Sequence, residues 1–226
     1  MQSSLTEALR EHTRELHTRV ERSGFMRALL RGQIDRPSYC VLLRNLREIY
    51  LALESGLARH AQSRAIAPVH LPGLARSAAL ARDLGALHGP DWPVAIAVLP
   101  AADAYVQRLH ELADGDPQFL VAHAYVRYLG DMSGGQLVRK VVQGSLRLDG
   151  AVGADFYDFG SPEEAAELAR SFRVGLDAIP IDAQGIAALV REARRAFCLH
   201  EELFAQIQAQ RCAGATPARP AIAVKD

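Results

Sequence analysis

His17 stands out among the residues that could take part in chemistry. On an ideal helix it shares one stripe with Arg10, Thr13 and Glu21, at spacings of seven, four and four. A histidine in this position can bind a metal through one nitrogen while Glu21 orients the other, and Arg10 can meet an anionic ligand group. A half-buried histidine paired with Glu21 fits the same spacing. Spacing alone therefore leaves a ligand and a structural residue both open.

The segment YLGDMSGGQ, residues 128–136, places Gly130, Gly134 and Gly135 inside a helical pattern. Each interior glycine costs a helix about 1 kcal/mol relative to alanine, so roughly 3 kcal/mol of local stability is given up here. One explanation is a kinked helix whose bare backbone lies against something flat and large. Close helix packing through Gly130-x-x-x-Gly134 explains the same spacing equally well.

Asp131 lies within that glycine segment, and Arg127 precedes it by four residues. Residues four apart are neighbours on a helix, so an ion pair on a solvated face is one interpretation. The alternative is a carboxylate that holds ordered water beside a ligand without binding a metal itself.

The eight histidines show none of the spacings of common metal motifs. No acidic residue stands three positions before any of them, which disfavours a carboxylate-bridged di-iron site, and no H-E-x-x-H motif is present. The three cysteines, Cys40, Cys198 and Cys212, form no C-x-x-C pair, which disfavours a zinc site or a redox dithiol.

Helices are the elements that must position these residues. Apolar steps of three and four, with capping signals at Asp35, Asp116, Ser161 and Asp182, predict about eight helices. They cover about 4–22, 24–31, 37–60, a segment ending near 87, 100–113, 117–146, 162–179 and 182–210. Loops are predicted at 62–73 and 149–160. No stretch alternates with a period of two for long enough to indicate a strand. We expect one all-α domain over residues 1–211 and a disordered tail over 212–226.

Composition and charge exclude several classes of function. The 226 residues are 49% hydrophobic and 23% charged, and 26 basic residues balance 26 acidic ones. This neutral balance gives no field that favours nucleic acid. The polar N-terminal segment lacks the apolar core of a signal peptide, and the C-terminal segment is too short to cross a bilayer. A cytoplasmic protein is expected.

Five segments carry a resemblance to a known family. HAYVRYLGDMSGGQ (123–136) resembles the distal-helix signature of the heme oxygenases, and ELHTRVERSGFMRALLRGQIDR (15–36) resembles their proximal helix. REIYLALE (47–54), AYVQRLHEL (104–112) and FCLHEELF (197–204) match further blocks in the same order. The resemblance covers about residues 4–210 and implies a multi-helix fold with heme between the N-terminal proximal helix and a kinked, glycine-rich distal helix.

The resemblance implies a role for each candidate residue. His17 would be the axial iron ligand and Glu21 its partner, while Gly130, Gly134 and Gly135 would cover the other heme face. Asp131 would anchor a distal water network whose further members are Tyr50, Tyr105 and Arg127. The propionates would meet Arg10, Tyr125 and Arg170, and the pocket would be lined by Phe197 and Phe204.

Three positions depart from the animal pattern of the family. Ala166 stands where a lysine often faces a propionate, and Val126 where a threonine is common. His200 stands where an asparagine is usual. Because histidine titrates near neutrality, His200 is predicted to make the distal network sensitive to pH.

The reaction that the resemblance implies is oxidative opening of the heme ring. Heme would be both cofactor and substrate, O₂ the co-substrate, and the products biliverdin, CO and ferrous iron. Electrons would come from a separate NAD(P)H-dependent reductase or a ferredoxin, and a monomer without a membrane anchor is expected. Two rivals are a heme carrier without turnover, against which Asp131 argues, and a thiaminase-like enzyme of the same superfold, against which the block around His17 argues.

Overall fold

The computed structural model describes residues 4–149 and 152–214, and no β-strand occurs in those two stretches. The predicted all-α fold is thereby confirmed. The α-helices are α1 Leu5–Glu21, α2 Gly24–Leu30, α3 Arg36–Arg59, α4 Ser77–Leu87, α5 Trp92–Ala95, α6 Pro100–Gly115, α7 Leu120–Ala124, α8 Gly130–Leu146, α9 Pro162–Asp177 and α10 Ala183–Gly214.

Most predicted helix starts carry the expected caps. Asp35 accepts a hydrogen bond from the Ser38 amide at 2.8 Å, and Ser161 forms a capping box with Glu164. Asp182 accepts from the Gly185 amide at 2.8 Å. Asp116 occupies the predicted N-cap position and Pro117 follows it, but they open the 3₁₀ turn Pro117–Phe119 before α7, and the Asp116 side chain makes no capping hydrogen bond.

One additional helix and one helix end also differ from the prediction. α5 was not predicted, because a single turn such as Trp92–Ala95 is too short to show a helical period. α10 continues to Gly214, beyond the predicted end near residue 210. The rest of the predicted tail, residues 215–226, lies outside the described residues.

α10 is the scaffold on which the site is built. It packs along α1 and also contacts α2, α6 and α7, while α3 packs against α4 and α6. Large aromatic side chains fill the core between these helices, each contributing about 1.5–3 kcal/mol by burial. The fully buried ones include Phe25, Tyr39, Tyr50, Tyr105, Phe156 and Phe172. Of the helices described, none has both the length and the apolar content of a bilayer span.

A π-helical segment interrupts the helix that was predicted over 117–146. Instead of one helix over 117–146, the chain forms α7, a π-helical segment at Tyr125–Leu129, and then α8, which begins at Gly130. A π-turn widens the helix and redirects its axis, and such turns often mark functional sites. This interruption lies directly before Gly130, the first of the three glycines.

Candidate functional site

A cleft lies where α1, the π-helical segment, α8 and α10 meet. Two adjoining cavities of about 240 and 260 Å³ form it and share the lining residues His17, Val126, Gly130, Ser133 and Phe197. Together they reach the size of a small-molecule site, about 300–1,000 Å³. A larger surface groove of about 1040 Å³ runs along α1 and α10, but it includes neither His17 nor Asp131.

His17 borders both cavities, as a ligand of a bound group must. Its Nδ1 atom lies 3.6 Å from Oε2 of Glu21, beyond a hydrogen bond but within ion-pair range. Its ring meets Phe197 edge-on, with centroids 6.0 Å apart. The His17 side chain is 52% exposed. His17 therefore pairs with Glu21 and borders the cleft at the same time, and its imidazole is accessible to a ligand.

The glycines of α8 border the cleft with bare backbone. A Cβ atom added at Gly130 or Gly134 would meet no atom of the described chain within 4 Å. At Gly135, by contrast, it would lie 3.1 Å from Cδ1 of Tyr157. All three line the 260 Å³ cavity. Close packing thus explains Gly135 but not Gly130-x-x-x-Gly134, which leaves room for something flat.

Asp131 lies in a buried hydrogen-bonded cluster at the same cavity. Its two carboxylate oxygens accept from Arg127 Nη2 at 3.1 and 3.3 Å, and the Tyr50 hydroxyl also donates to it. Arg127 Nε donates to Tyr50 at 3.3 Å. The Arg127–Asp131 pair that the spacing predicts therefore exists, but it is buried rather than on a solvated face. Tyr50, Arg127 and Asp131, together with His200 of α10, are named the cleft cluster.

His200 completes the cleft cluster from α10. Its ring packs on Phe204 with centroids 4.2 Å apart, and Nε2 lies 3.0 Å from Nη1 of Arg127. Only a neutral imidazole can accept from a guanidinium. Burial and the nearby Arg127 charge lower the pKa of His200 well below its usual range. The prediction that His200 titrates near neutrality is therefore corrected: it stays neutral there.

The carboxyl of Asp131 is held between opposing influences. Burial raises the pKa of Asp131 well above its usual range, while the adjacent Arg127 guanidinium favours the ionised form. Such a carboxyl can take up a proton at pH values where an ordinary aspartate stays ionised. A perturbed acid beside a cavity is a candidate for proton transfer.

Tyr105 belongs to a second cluster that the sequence did not reveal. Its hydroxyl lies 3.1 Å from Nδ1 of His123, whose Nε2 lies 3.0 Å from Oε1 of Glu192. Glu192 also accepts two hydrogen bonds from Arg108, at 3.0 and 2.7 Å. Tyr105, predicted as a member of the distal water network, makes its hydrogen bond to His123, and the charge of Arg127 acts on its phenol. These four residues are named the Glu192 cluster; 69 residues separate His123 from Glu192, and no local pattern joins them.

The 240 Å³ cavity is lined by cationic and hydroxyl side chains. Arg10 and Tyr125, predicted to meet anionic groups, both line it. Arg170 was also predicted to meet a propionate, but its side chain is 65% exposed and pairs with Glu167 on its own helix. Within the described part of the chain, the α9 arginine that lines this cavity is Arg173.

The 260 Å³ cavity is largely apolar, and both predicted phenylalanines lie in its wall. Phe197 borders the two cavities, and Phe204 borders this one. Further apolar lining comes from Met26, Leu29, Leu42, Leu46, Val138 and Phe156. The cleft is thus cationic at one end and apolar at the other.

The chain is similar to known proteins over nearly all of its length. A family model described as heme oxygenase matches residues 3–206. The chain belongs to the heme oxygenase family. This heme oxygenase is 39% identical to heme oxygenase 1 of Rattus norvegicus over 92% of its own length and 73% of the rat protein. It is 37% identical to the heme oxygenase of Porphyra purpurea, over 92% and 88% of the two chains.

Solved structures show the same fold. Heme oxygenase-2 from Synechocystis sp. PCC 6803, crystallised with heme and NO, superposes with a TM-score of 0.90 at 34% identity, covering 94% of this chain and 88% of that one. The heme oxygenase of Leptospira interrogans gives 0.86 at 31% identity, covering 90% and 100%.

Proposed function

We propose that this heme oxygenase binds heme in the cleft through His17. With O₂ and reducing equivalents it opens the ring to biliverdin, CO and ferrous iron. One observation carries the proposal: His17, the bare backbone of Gly130 and Gly134, and the buried Asp131 border a single cavity. The Synechocystis relative of the same fold is described in complex with heme.

The shape and polarity of the cleft fit a porphyrin. The backbone at Gly130 and Gly134 leaves space that a Cβ atom would otherwise enter, which suits a flat ring. The apolar cavity suits the vinyl and methyl edge, and the cationic end suits the carboxylates. His17 would hold the iron, Glu21 would orient His17, and Arg10 and Tyr125 would meet the propionates.

The chain's own contribution to ring opening is the handling of protons. Heme, when bound, supplies the iron that activates O₂ and the ring edge that is oxidised. Tyr50 and Arg127 hold the Asp131 carboxyl in one orientation, from which it positions water and places a proton at the open heme face. The backbone at Gly130 and Gly134 restricts that face. A carrier has no use for such a carboxyl, so Asp131 favours turnover over storage.

The reaction consumes electrons, so the proposal includes a donor protein. An NAD(P)H-dependent reductase or a ferredoxin would supply them, with the heme oxygenase acting as a cytoplasmic monomer. These partners follow from the resemblance to the family.

The proposal is tested by anaerobic loading of heme, followed by ascorbate and air. Chromatography of the products should show biliverdin from the parent protein. His17→Ala should still bind heme by burial and carboxylate contacts, yet lose turnover, and added imidazole should restore part of it.

Two outcomes would overturn the proposal. A parent protein that binds heme tightly but never degrades it with any reductant would be a carrier. A His17→Ala variant with an unchanged heme spectrum and full activity would show that His17 is not the ligand.

A further inference from the structure

Tyr157 lines the 260 Å³ cavity from the connection between α8 and α9. It is the last residue of the 3₁₀ turn Asp155–Tyr157. The amides of Asp155 and Phe156 donate to the two carboxylate oxygens of the buried Asp83, each at 2.8 Å. The carboxylate on α4 therefore holds this turn, and with it Tyr157, in place.

The ring of Tyr157 is fixed against α8. Its Cδ1 atom would lie 3.1 Å from a Cβ atom added at Gly135, so the ring packs on the bare backbone of that residue. Its other neighbour is Phe156, whose ring it meets edge-on with centroids 4.7 Å apart. The Tyr157 hydroxyl therefore has a defined position behind α8.

Tyr39 of α3 brings a second hydroxyl to the same place. Its side chain is fully buried, and no residue of the described chain makes a hydrogen bond with that hydroxyl. Burial raises the pKa of Tyr39 well above its usual range, and the nearby Tyr157 and Asp83 raise it further. A buried donor without an acceptor destabilises the fold. Because both oxygens of Asp83 already accept from amides, the Tyr157 oxygen is the acceptor that these surroundings offer.

The phenol of Tyr157 is close to the cleft cluster. Burial raises the pKa of Tyr157, the charge of Asp131 raises it further, and the charge of Arg127 opposes that rise. A phenol that accepts a hydrogen bond from Tyr39 keeps its own proton to donate. Since Tyr157 and Asp131 border one cavity, that proton can be directed into it.

We propose that Tyr157 donates a hydrogen bond into the 260 Å³ cavity and through water holds the Asp131 carboxylate, and that Tyr39 sets the direction of this bond. Tyr157 is then a positioning residue that acts from the turn before α9, whereas Tyr50 donates to Asp131 from α3. The inference rests on the proposed function, in which Asp131 handles the proton for ring opening.

The test is an NMR titration of isotope-labelled aspartate in the heme-free protein, with the Asp131 signal identified by its loss in Asp131→Asn. A hydrogen bond donated to the ionised carboxylate lowers its pKa. Tyr157→Phe should therefore raise the pKa of Asp131 by about 0.5. Tyr39→Phe should raise it less, because the Tyr157 hydroxyl remains but loses its fixed direction.

Tyr128→Phe is the matched control. Tyr128 is as deeply buried as Tyr157 but is not among the residues that line the cavity, so its variant should leave the Asp131 titration unchanged. The other groups that face Asp131 are the same in all the variants. Two of them donate to it directly and three more line the cavity: Tyr50, Arg127, His17, Glu21 and His200.

Two further measurements separate positioning from packing. If Tyr39 donates to Tyr157, Tyr39→Phe should lower the melting temperature of the heme-free protein by about 2–4 °C. In the heme-loaded protein, the part of the single-turnover pH profile that Asp131 governs should move to higher pH in Tyr157→Phe, by the amount found in the titration. A role in packing alone would lower the yield without moving the profile.

The outcomes are distinguishable. An unchanged Asp131 pKa in a folded Tyr157→Phe variant, or an equal rise in Tyr128→Phe, would overturn the inference. A Tyr39→Phe variant that melts at or above the parent temperature would overturn the part given to Tyr39. If Tyr157→Phe shifts the Asp131 titration and the parent never degrades heme, the inference stands and the proposed function is contradicted.

Discussion

Two buried polar clusters lie next to each other in this protein, and both combine a carboxylate with an arginine, a histidine and a tyrosine. The cleft cluster contains Asp131 and the Glu192 cluster contains Glu192. Arg127 of the first and His123 of the second are one helical turn apart, and α10 contributes to both. Despite these similar side chains, the pKa values of the two carboxyl groups are shifted in opposite directions.

The difference lies in partners and in access to a cavity. Burial opposes ionisation of Glu192, but hydrogen bonds from His123 and Arg108 outweigh it and lower its pKa to about 2. Burial raises the pKa of Asp131, whose carboxyl borders the 260 Å³ cavity. A fully paired carboxylate stabilises the fold, whereas one beside a cavity is able to exchange a proton with what that cavity holds.

The largest effect is expected from Asp131→Ala, which breaks the cleft cluster. Biliverdin formation should fall by roughly 10²-fold or more, the usual contribution of a positioned acid or base. Heme affinity and the ligand class of the ferric spectrum should be nearly unchanged, because the proposed iron ligand is His17 and not Asp131. With peroxide, the variant should oxidise added phenols and leave most heme intact. Asp131→Asn can still hold water and should retain more ring opening.

Glu192→Gln breaks the other cluster and should act on stability. The pKa of Glu192 is lowered to about 2 from an ordinary value near 4.5. Its contribution to the free energy of unfolding is therefore fully present above about pH 4.5 and is lost as the pH falls towards 2. At pH 7 this amounts to about 3 kcal/mol. Urea unfolding should show that loss at pH 7 and a smaller pH dependence between about pH 5 and 2. An unchanged unfolding midpoint would contradict the structural role.

Gly134→Ala places a methyl group in the 260 Å³ cavity, which the cleft cluster borders and the Glu192 cluster does not. The added Cβ enters open space, so the helix should gain about 0.5–1 kcal/mol in the heme-free protein. Heme affinity should fall, because the methyl group occupies the face on which the ring is proposed to lie. Thermal unfolding without heme and heme titration measure the two effects. A variant that is both less stable and unchanged in affinity would assign Gly134 to packing.

The smallest effect is expected from His200→Asn. Because His200 is neutral near pH 7, the variant should keep turnover within about threefold and the same pH profile between about pH 6 and 8. The lowered pKa of His200 means that its neutral form stabilises the fold above about pH 6.5 and that this contribution is lost as pH falls. The variant should therefore unfold less readily in acid. A turnover profile that shifts near neutrality would show that His200 titrates there.

Local signals predicted most of the fold. The capping box at Ser161 and the apolar steps around His17 depend on neighbours in sequence, and the structure has both helices. The π-helical turn at Tyr125–Leu129 was not predicted, because it depends on how the helix packs. The kink expected at the glycines stays a prediction, and the π-helical segment lies just before them.

The site was predictable where a motif carries it and not where the fold brings distant residues together. His17, Asp131 and the glycines stand in recognisable segments, and the structure gathers them at one cleft. His123 and Glu192 are 69 residues apart, so no local sequence pattern indicates that they pair. Arg170 and Arg173 are three residues apart, and only the packing of α9 on α1 shows which one reaches the cavity.

We expect the cleft cluster to serve ring opening and the Glu192 cluster to stabilise the fold. The most direct test measures biliverdin yield per bound heme, in a single turnover with ascorbate and air, for Asp131→Ala and Glu192→Gln at a temperature where both are folded. Asp131→Ala should lose nearly all of the yield and Glu192→Gln should keep it. Biliverdin from Asp131→Ala at the parent rate would show that ring opening does not need Asp131, and an equal loss in Glu192→Gln would show that the Glu192 cluster contributes to it.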